Sequence, residues 1–125
     1  MQPALLVAAL LAMGLGAAHS ILGERLILRR LPVRGLVPRT FGSDTFAHGA
    51  LRATWHLATV AWCGLAAVLA WAGSTQAGAP APVLWIPAAA FALTGLIIGA
   101  ASRARHPAWA GFLAVAGLAA WAAQA

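Results

Sequence analysis

Asp44, His48, Arg52, His56 and Thr59 follow one another at intervals of three or four residues, with Trp55 on the same side. On a helix that spacing stacks side chains along one face over several turns. A second polar group, His19, Ser20, Glu24 and Arg25, closes the first apolar run of the chain. His19, Ser20 and Gly23 share a helical face, with Glu24 on its edge. If the two faces packed together, His19 and Glu24 would approach His48, Arg52 and His56. Three chemistries fit such a cluster. Glu24 or Asp44 pairs with Arg52 while the histidines bond backbone carbonyls, Ser20 or Thr59, a purely structural role. Alternatively Arg52, with the histidines or with arginines such as Arg25, holds a lipid phosphate or a small carboxylate. In the third, imidazoles and a carboxylate bind a metal or haem.

The metal candidates are His19, Glu24, His48 and His56. His48 and His56 are two helical turns apart, too far for the neighbouring-turn pair of helical metal sites, so His19 or Glu24 must contribute. Imidazole plus carboxylate suits zinc or non-haem iron, and histidines from two helices suit haem. The anion-site candidates are Arg52, His56, Trp55, Ser20 and Arg25. Enzymatic signals are weaker. Ser20 beside His19 on one helix is not the signature of a catalytic triad, and Glu24 with one histidine is an acid–base pair by residue type alone. Cys63 is the single cysteine, with no CxxC or Cys/His zinc pattern.

These groups sit in an unusual chain. Of the 125 residues, 62% are hydrophobic and 8% charged, and the mean hydropathy is +0.86. A soluble fold of this size could not hide so much apolar side chain, and a disordered chain needs the opposite balance. The expected class is therefore all-α: one integral membrane domain, a four-helix bundle. Spans of roughly twenty apolar residues fit residues 3–22, 53–72, 82–101 and 107–123, joined by a long connection over residues 23–52. Pro3, Pro82 and Pro107 open three of them, where the missing N–H costs nothing. The stretch GERLILRRL continues the first helix toward the headgroups until Pro32, Gly35 and Pro38 break it, and Ser43 or Asp44 caps the second helix.

Every basic residue is arginine, giving a net charge of +6. Arg25, Arg29, Arg30, Arg34, Arg39 and Arg52 lie between the first and second spans, and Arg103 and Arg105 between the third and fourth. The positive-inside rule puts both connections in the cytoplasm and both termini outside it, in the cytoplasmic (inner) membrane. Tryptophans agree: Trp71, Trp85 and Trp121 mark the outer ends of spans, Trp55 and Trp109 the inner ends. A cleaved signal peptide is the rival reading of residues 1–20, but its start lacks a positive charge and arginines follow the apolar run. The basic charge, split between two connections, suits anionic lipid headgroups and excludes a dedicated nucleic-acid domain. Gly95 and Gly99 form a GxxxG pattern that permits close helix contact, within the bundle or in a homo-oligomer or larger complex.

The strings AAHSILGER and FGSDTFAHGALRATWHLATVAW resemble a group of small, uncharacterised four-span bacterial inner-membrane proteins, over about the first half of the chain. The resemblance implies no activity. It points to His19, Ser20, Glu24, Arg25, Arg52, Trp55 and His56 as signature positions, with His48 outside them. The lysine-free, alanine-rich composition also suits a GC-rich bacterial genome. The expected function is a non-enzymatic binding or accessory subunit whose cytoplasm-facing pocket takes a lipid headgroup, a small anion or a partner helix. A metal- or haem-binding redox protein is the alternative, and a small oligomeric transporter is the second. The transporter is disfavoured by an outer half that lacks ionisable side chains.

Overall fold

Apolar stretches with no water to satisfy their backbone must bond internally, and among the described residues they do so as helix. A computed structural model describes residues 1–32, 35, 44–75 and 79–125, and Arg34, Pro38, Arg39 and Ser43 of the reading above lie outside them. Helix α1 (Pro3–Leu22) continues into a π-helical segment (Gly23–Leu28), followed by α2 (Asp44–Ser74), α3 (Ala81–Ser102) and α4 (Ala108–Ala122). Among the described residues there is no strand. Three helical stretches, Pro3–Leu28, Asp44–Ser74 and Ala81–Ser102, are long and apolar enough to cross a membrane.

The fourth expected span falls short. Helix α4 has 15 residues, about 22 Å against a hydrocarbon core of about 30 Å. Pro107 stands just before its first residue, and the helix stops one residue before the expected end. The second helix is longer than its membrane portion. It begins at Asp44, whose Oδ1 accepts a bond from the Thr45 N–H at 2.8 Å, answering one of the orphan donors of the first turn.

The contacts gather in two compact units. One comprises Met1–Leu15 and Trp62–Ala125. Its core is built mostly from alanines, Ala8, Ala12, Ala66, Ala72, Ala88 and Ala119 among them, around Leu5, Leu69, Leu84, Phe91, Phe112 and Val115. Small side chains let helices approach closely, and dispersion replaces the water-driven term that is weak between apolar helices in lipid. Phe112 is the hub, 4.7 Å from the Trp62 ring and 6.0 Å from Phe91, centroid to centroid. The GxxxG pattern is used inside the chain. A Cβ at Gly95 would lie 3.0 Å from Leu113 and from the Trp109 carbonyl, and one at Gly99 would lie 3.6 Å from the Trp109 Cβ.

The turn after α3 carries strain. Arg103 and Ala104 both take positive φ, 50° and 59°, a region that disfavours any residue with a Cβ. The Ala104 N–H closes the helix on the Gly99 carbonyl at 2.7 Å, and its own carbonyl accepts from the Trp109 indole at 3.1 Å. Ala104→Gly keeps both bonds and removes the steric cost, so it is expected to stabilise the chain by about 1 kcal/mol. The unfolding midpoint in detergent reads this out, and an unchanged midpoint would show that the turn stores no such strain.

The second unit is Gly16–Ala61, the end of α1, the π-helical segment and the start of α2. All the polar residues singled out on those two helices belong to it.

Candidate functional site

Two features set the geometry of this unit. The first is close approach at Gly23, where a Cβ would overlap the indole of Trp55. With no side chain there, Trp55 slides against the first helix and its Nε1–H donates to the His19 carbonyl at 3.1 Å. His19 answers, its Nε2–H donating to the Trp55 carbonyl at 3.3 Å. The two rings stack, 4.6 Å between centroids and 7° from parallel. This reciprocal clasp sets the depth at which the two helices meet.

The second feature is the widened helix itself. The Arg29 N–H bonds the Glu24 carbonyl at 3.2 Å, five residues back, which is the π-helical pattern often found at functional sites. In that register the side chains of Glu24 and Arg29 adjoin, and Arg29 Nε donates to Glu24 Oε1 at 3.1 Å. Arg52 comes from α2 and grips the same carboxylate side-on, Nε to Oε2 at 3.0 Å and Nη2 to Oε1 at 2.7 Å. His56 Nε2 lies 3.4 Å from Oε2. The Glu24 side chain is 13% exposed, those of Arg52 and Arg29 51% and 68%. One sheltered carboxylate thus orients two guanidinium groups whose outer N–H edges face away from it.

A chain of hydroxyls continues inward from His56. Its Nδ1 is 2.8 Å from Ser20 Oγ. The Ser20 hydroxyl donates to Thr59 Oγ1 at 2.9 Å, and the Thr59 hydroxyl to the Gly16 carbonyl at 3.4 Å. A hydroxyl has one proton and can rotate, so Ser20 has two acceptors in reach, Thr59 and His56 Nδ1.

Of the residues named from sequence, Glu24, Arg52, His56 and Ser20 therefore meet at one place, and of the two acids offered as partners of Arg52, Glu24 and Asp44, it is Glu24 that pairs with it. Trp55 is the partner of His19, one step away. Arg25 is exposed on the π-helical segment with no partner among the described residues. His48 goes elsewhere, its Nε2–H donating to the Leu28 carbonyl at 2.9 Å. The four metal candidates thus fall at three places: His19 on Trp55, His48 on Leu28, and His56 with Glu24. Among the described residues, no three His, Cys, Asp or Glu side chains gather to hold a metal ion. The metal or haem alternative retains only the His56–Glu24 pair. Sequence reading missed one participant, Arg29, which the π-turn brings round, and offered Thr59 as a partner of the histidines where the structure pairs it with Ser20. The three- and four-residue stripe on α2 already contained Thr59; nothing in the sequence flagged the π-turn.

Compared with known proteins, the chain matches no family model, no curated protein and no solved structure.

Proposed function

We propose that the chain is a multi-pass protein of a bacterial cytoplasmic membrane, with its N-terminus outside the cytoplasm, that binds anionic phospholipid headgroups through arginines oriented by Glu24. The observation that carries this reading is the shared carboxylate. Glu24 takes the Nε edges of Arg29 and Arg52, and their remaining N–H groups stay available for a phosphate. Arg25 on the π-helical segment and Arg30 in the turn after it are exposed, so positive charge exceeds the one carboxylate.

The neighbours favour lipid over a dissolved anion. Ile21, Leu22, Leu26 and Ile27 are exposed large apolar side chains interleaved with these arginines. Such a mixture is stable where acyl chains meet headgroups, with guanidinium groups reaching outward. The two connections rich in arginine agree with a cytoplasmic face, as does the exposure of Trp71, Trp85 and Trp121 at the opposite helix ends.

Native mass spectrometry of protein released from mixed phosphatidylglycerol and phosphatidylcholine nanodiscs tests the reading. Wild type is expected to retain phosphatidylglycerol preferentially, and Arg52→Gln to lower that preference about fivefold, the worth of one arginine near a charged surface. Equal retention of the two lipids by folded wild type would sink it.

A further inference from the structure

The residues beneath the arginine layer make a second kind of site. We propose that Ser20, His56, Glu24 and Thr59 form a nucleophilic centre that cleaves acyl esters of anionic glycerophospholipids. The choice of substrate rests on the headgroup reading above; the nucleophile itself does not.

The parts required for acyl transfer are a nucleophile hydrogen-bonded to a base, a group orienting the base, and a donor for the developing oxyanion. Ser20 Oγ is 2.8 Å from His56 Nδ1, within reach for direct proton transfer. On its other side the imidazole meets Glu24, Nε2 to Oε2 at 3.4 Å. With His56 neutral and its proton on Nε2, Glu24 accepts that proton's bond and Nδ1 presents a lone pair to Ser20. The serine hydroxyl turns from Thr59 to His56, and the Thr59 hydroxyl, 2.9 Å from Ser20 Oγ, is left beside the point of attack. Its bond to Gly16 is long, 3.4 Å, so little is lost when it donates to an oxyanion instead.

The reaction balances within these groups and one water. Ser20 Oγ forms a bond to the ester carbonyl carbon as its proton passes to His56 Nδ1. Glu24 compensates the imidazolium, and Thr59 donates to the oxyanion. The carbon–oxygen bond to glycerol then breaks, and His56 returns the proton to the departing glycerol oxygen. Water, deprotonated by His56, releases the fatty acid from Ser20 and restores the hydroxyl. The products are a lysophospholipid and a fatty acid.

Depth selects the substrate. Ser20 lies one helical turn, about 6 Å, before Glu24 along the helix. In a glycerophospholipid the ester carbonyls likewise sit a few ångströms beneath the phosphate. A phosphate held by Arg29 and Arg52 therefore brings an ester to the level of Ser20, and the exposed Ile21, Leu22, Leu57 and Val60 leave its acyl chains in an apolar setting.

The test uses the full chain in mild detergent and a small alkyl fluorophosphonate, read by intact mass and peptide mapping. A single phosphonyl adduct on Ser20 is expected, absent from Ser20→Ala and formed at least about a hundredfold more slowly by His56→Asn, the usual worth of a general base. Wild type that is folded by circular dichroism yet takes no adduct overturns the proposal; Ser20, His56 and Thr59 would then be an interhelical hydrogen-bond network. The reagent carries no headgroup, so labelling does not depend on the arginines. Lysophospholipid release is followed in parallel from phosphatidylglycerol and phosphatidylcholine vesicles. Faster release from phosphatidylglycerol is expected. Labelling with equal release from both would overturn the headgroup reading alone.

Discussion

Gly23→Val is expected to lower the stability of the folded chain by about 3 kcal/mol, from overpacking of about 1–3 kcal/mol and hydrogen bonds worth about 1 kcal/mol each. The reason is a single crowded contact. Even a Cβ at residue 23 would overlap Nε1, Cε2 and Cζ2 of the Trp55 indole. The ring must withdraw, and its withdrawal breaks the bond to the His19 carbonyl, the ring stack and, through the shifted helix, the return bond from His19. Denaturant unfolding in detergent measures the loss. Two comparisons separate this cause from a general intolerance of β-branched residues. Gly64→Val faces open space and is expected to stay within about 0.5 kcal/mol of wild type. In a Trp55→Ala background Gly23→Val should cost far less, because the steric conflict is gone; full additivity of the two changes would refute the contact.

The largest effect on binding is expected from Arg29→Gln with Arg52→Gln. Two arginines worth about 1 kcal/mol each near an anionic surface amount to about a thirtyfold loss of preference for phosphatidylglycerol. Glu24 then stands without either guanidinium and repels a phosphate, so the loss should not fall below that sum. The wild-type preference should also shrink between low and physiological salt, since half-exposed charges are screened over about 8–10 Å. Arg103→Gln with Arg105→Gln is the matched control. It removes the same charge from the other arginine-bearing connection, where none of the described residues sets a carboxylate against the side chains. If both double variants lose preference equally, the lipid sees only net charge and the oriented pair has no special part.

Much of the architecture was legible because hydropathy and proline placement act locally. Helix α1 ends where its apolar run ends, at Leu22, and α3 lies within one residue of its expected limits. Helix α4 also lies within one residue of its expected limits, yet its 15 residues are too few to cross the hydrocarbon core unaided. Alanine-rich sequence reads as apolar to its last residue, but length is set by where Pro107 and the preceding strained turn let the helix start. Within the site, the α2 stripe was visible from three- and four-residue spacing, and Glu24 with Arg52 followed from charge. The bond between Ser20 and His56 spans 36 residues, and no local rule encodes it. It depends on how deeply the helices approach, and that is decided by a missing side chain at Gly23. His48 shows the reverse failure. It lies on the right face by periodicity, yet the Leu28 carbonyl at the end of the π-helical segment offered a closer partner.

The π-helical segment makes this stretch tolerant of a change in length. A π-turn holds one residue more than the α-turn it replaces. Deleting exposed Leu26 or Ile27 would let the backbone close to α-helix with Arg29 four places after Glu24, the spacing at which α-helical side chains adjoin. The pair would survive, and the residues that follow would keep their facing. Relatives that share this site can thus be one residue shorter between Glu24 and Arg29 and still carry the carboxylate and both guanidinium groups.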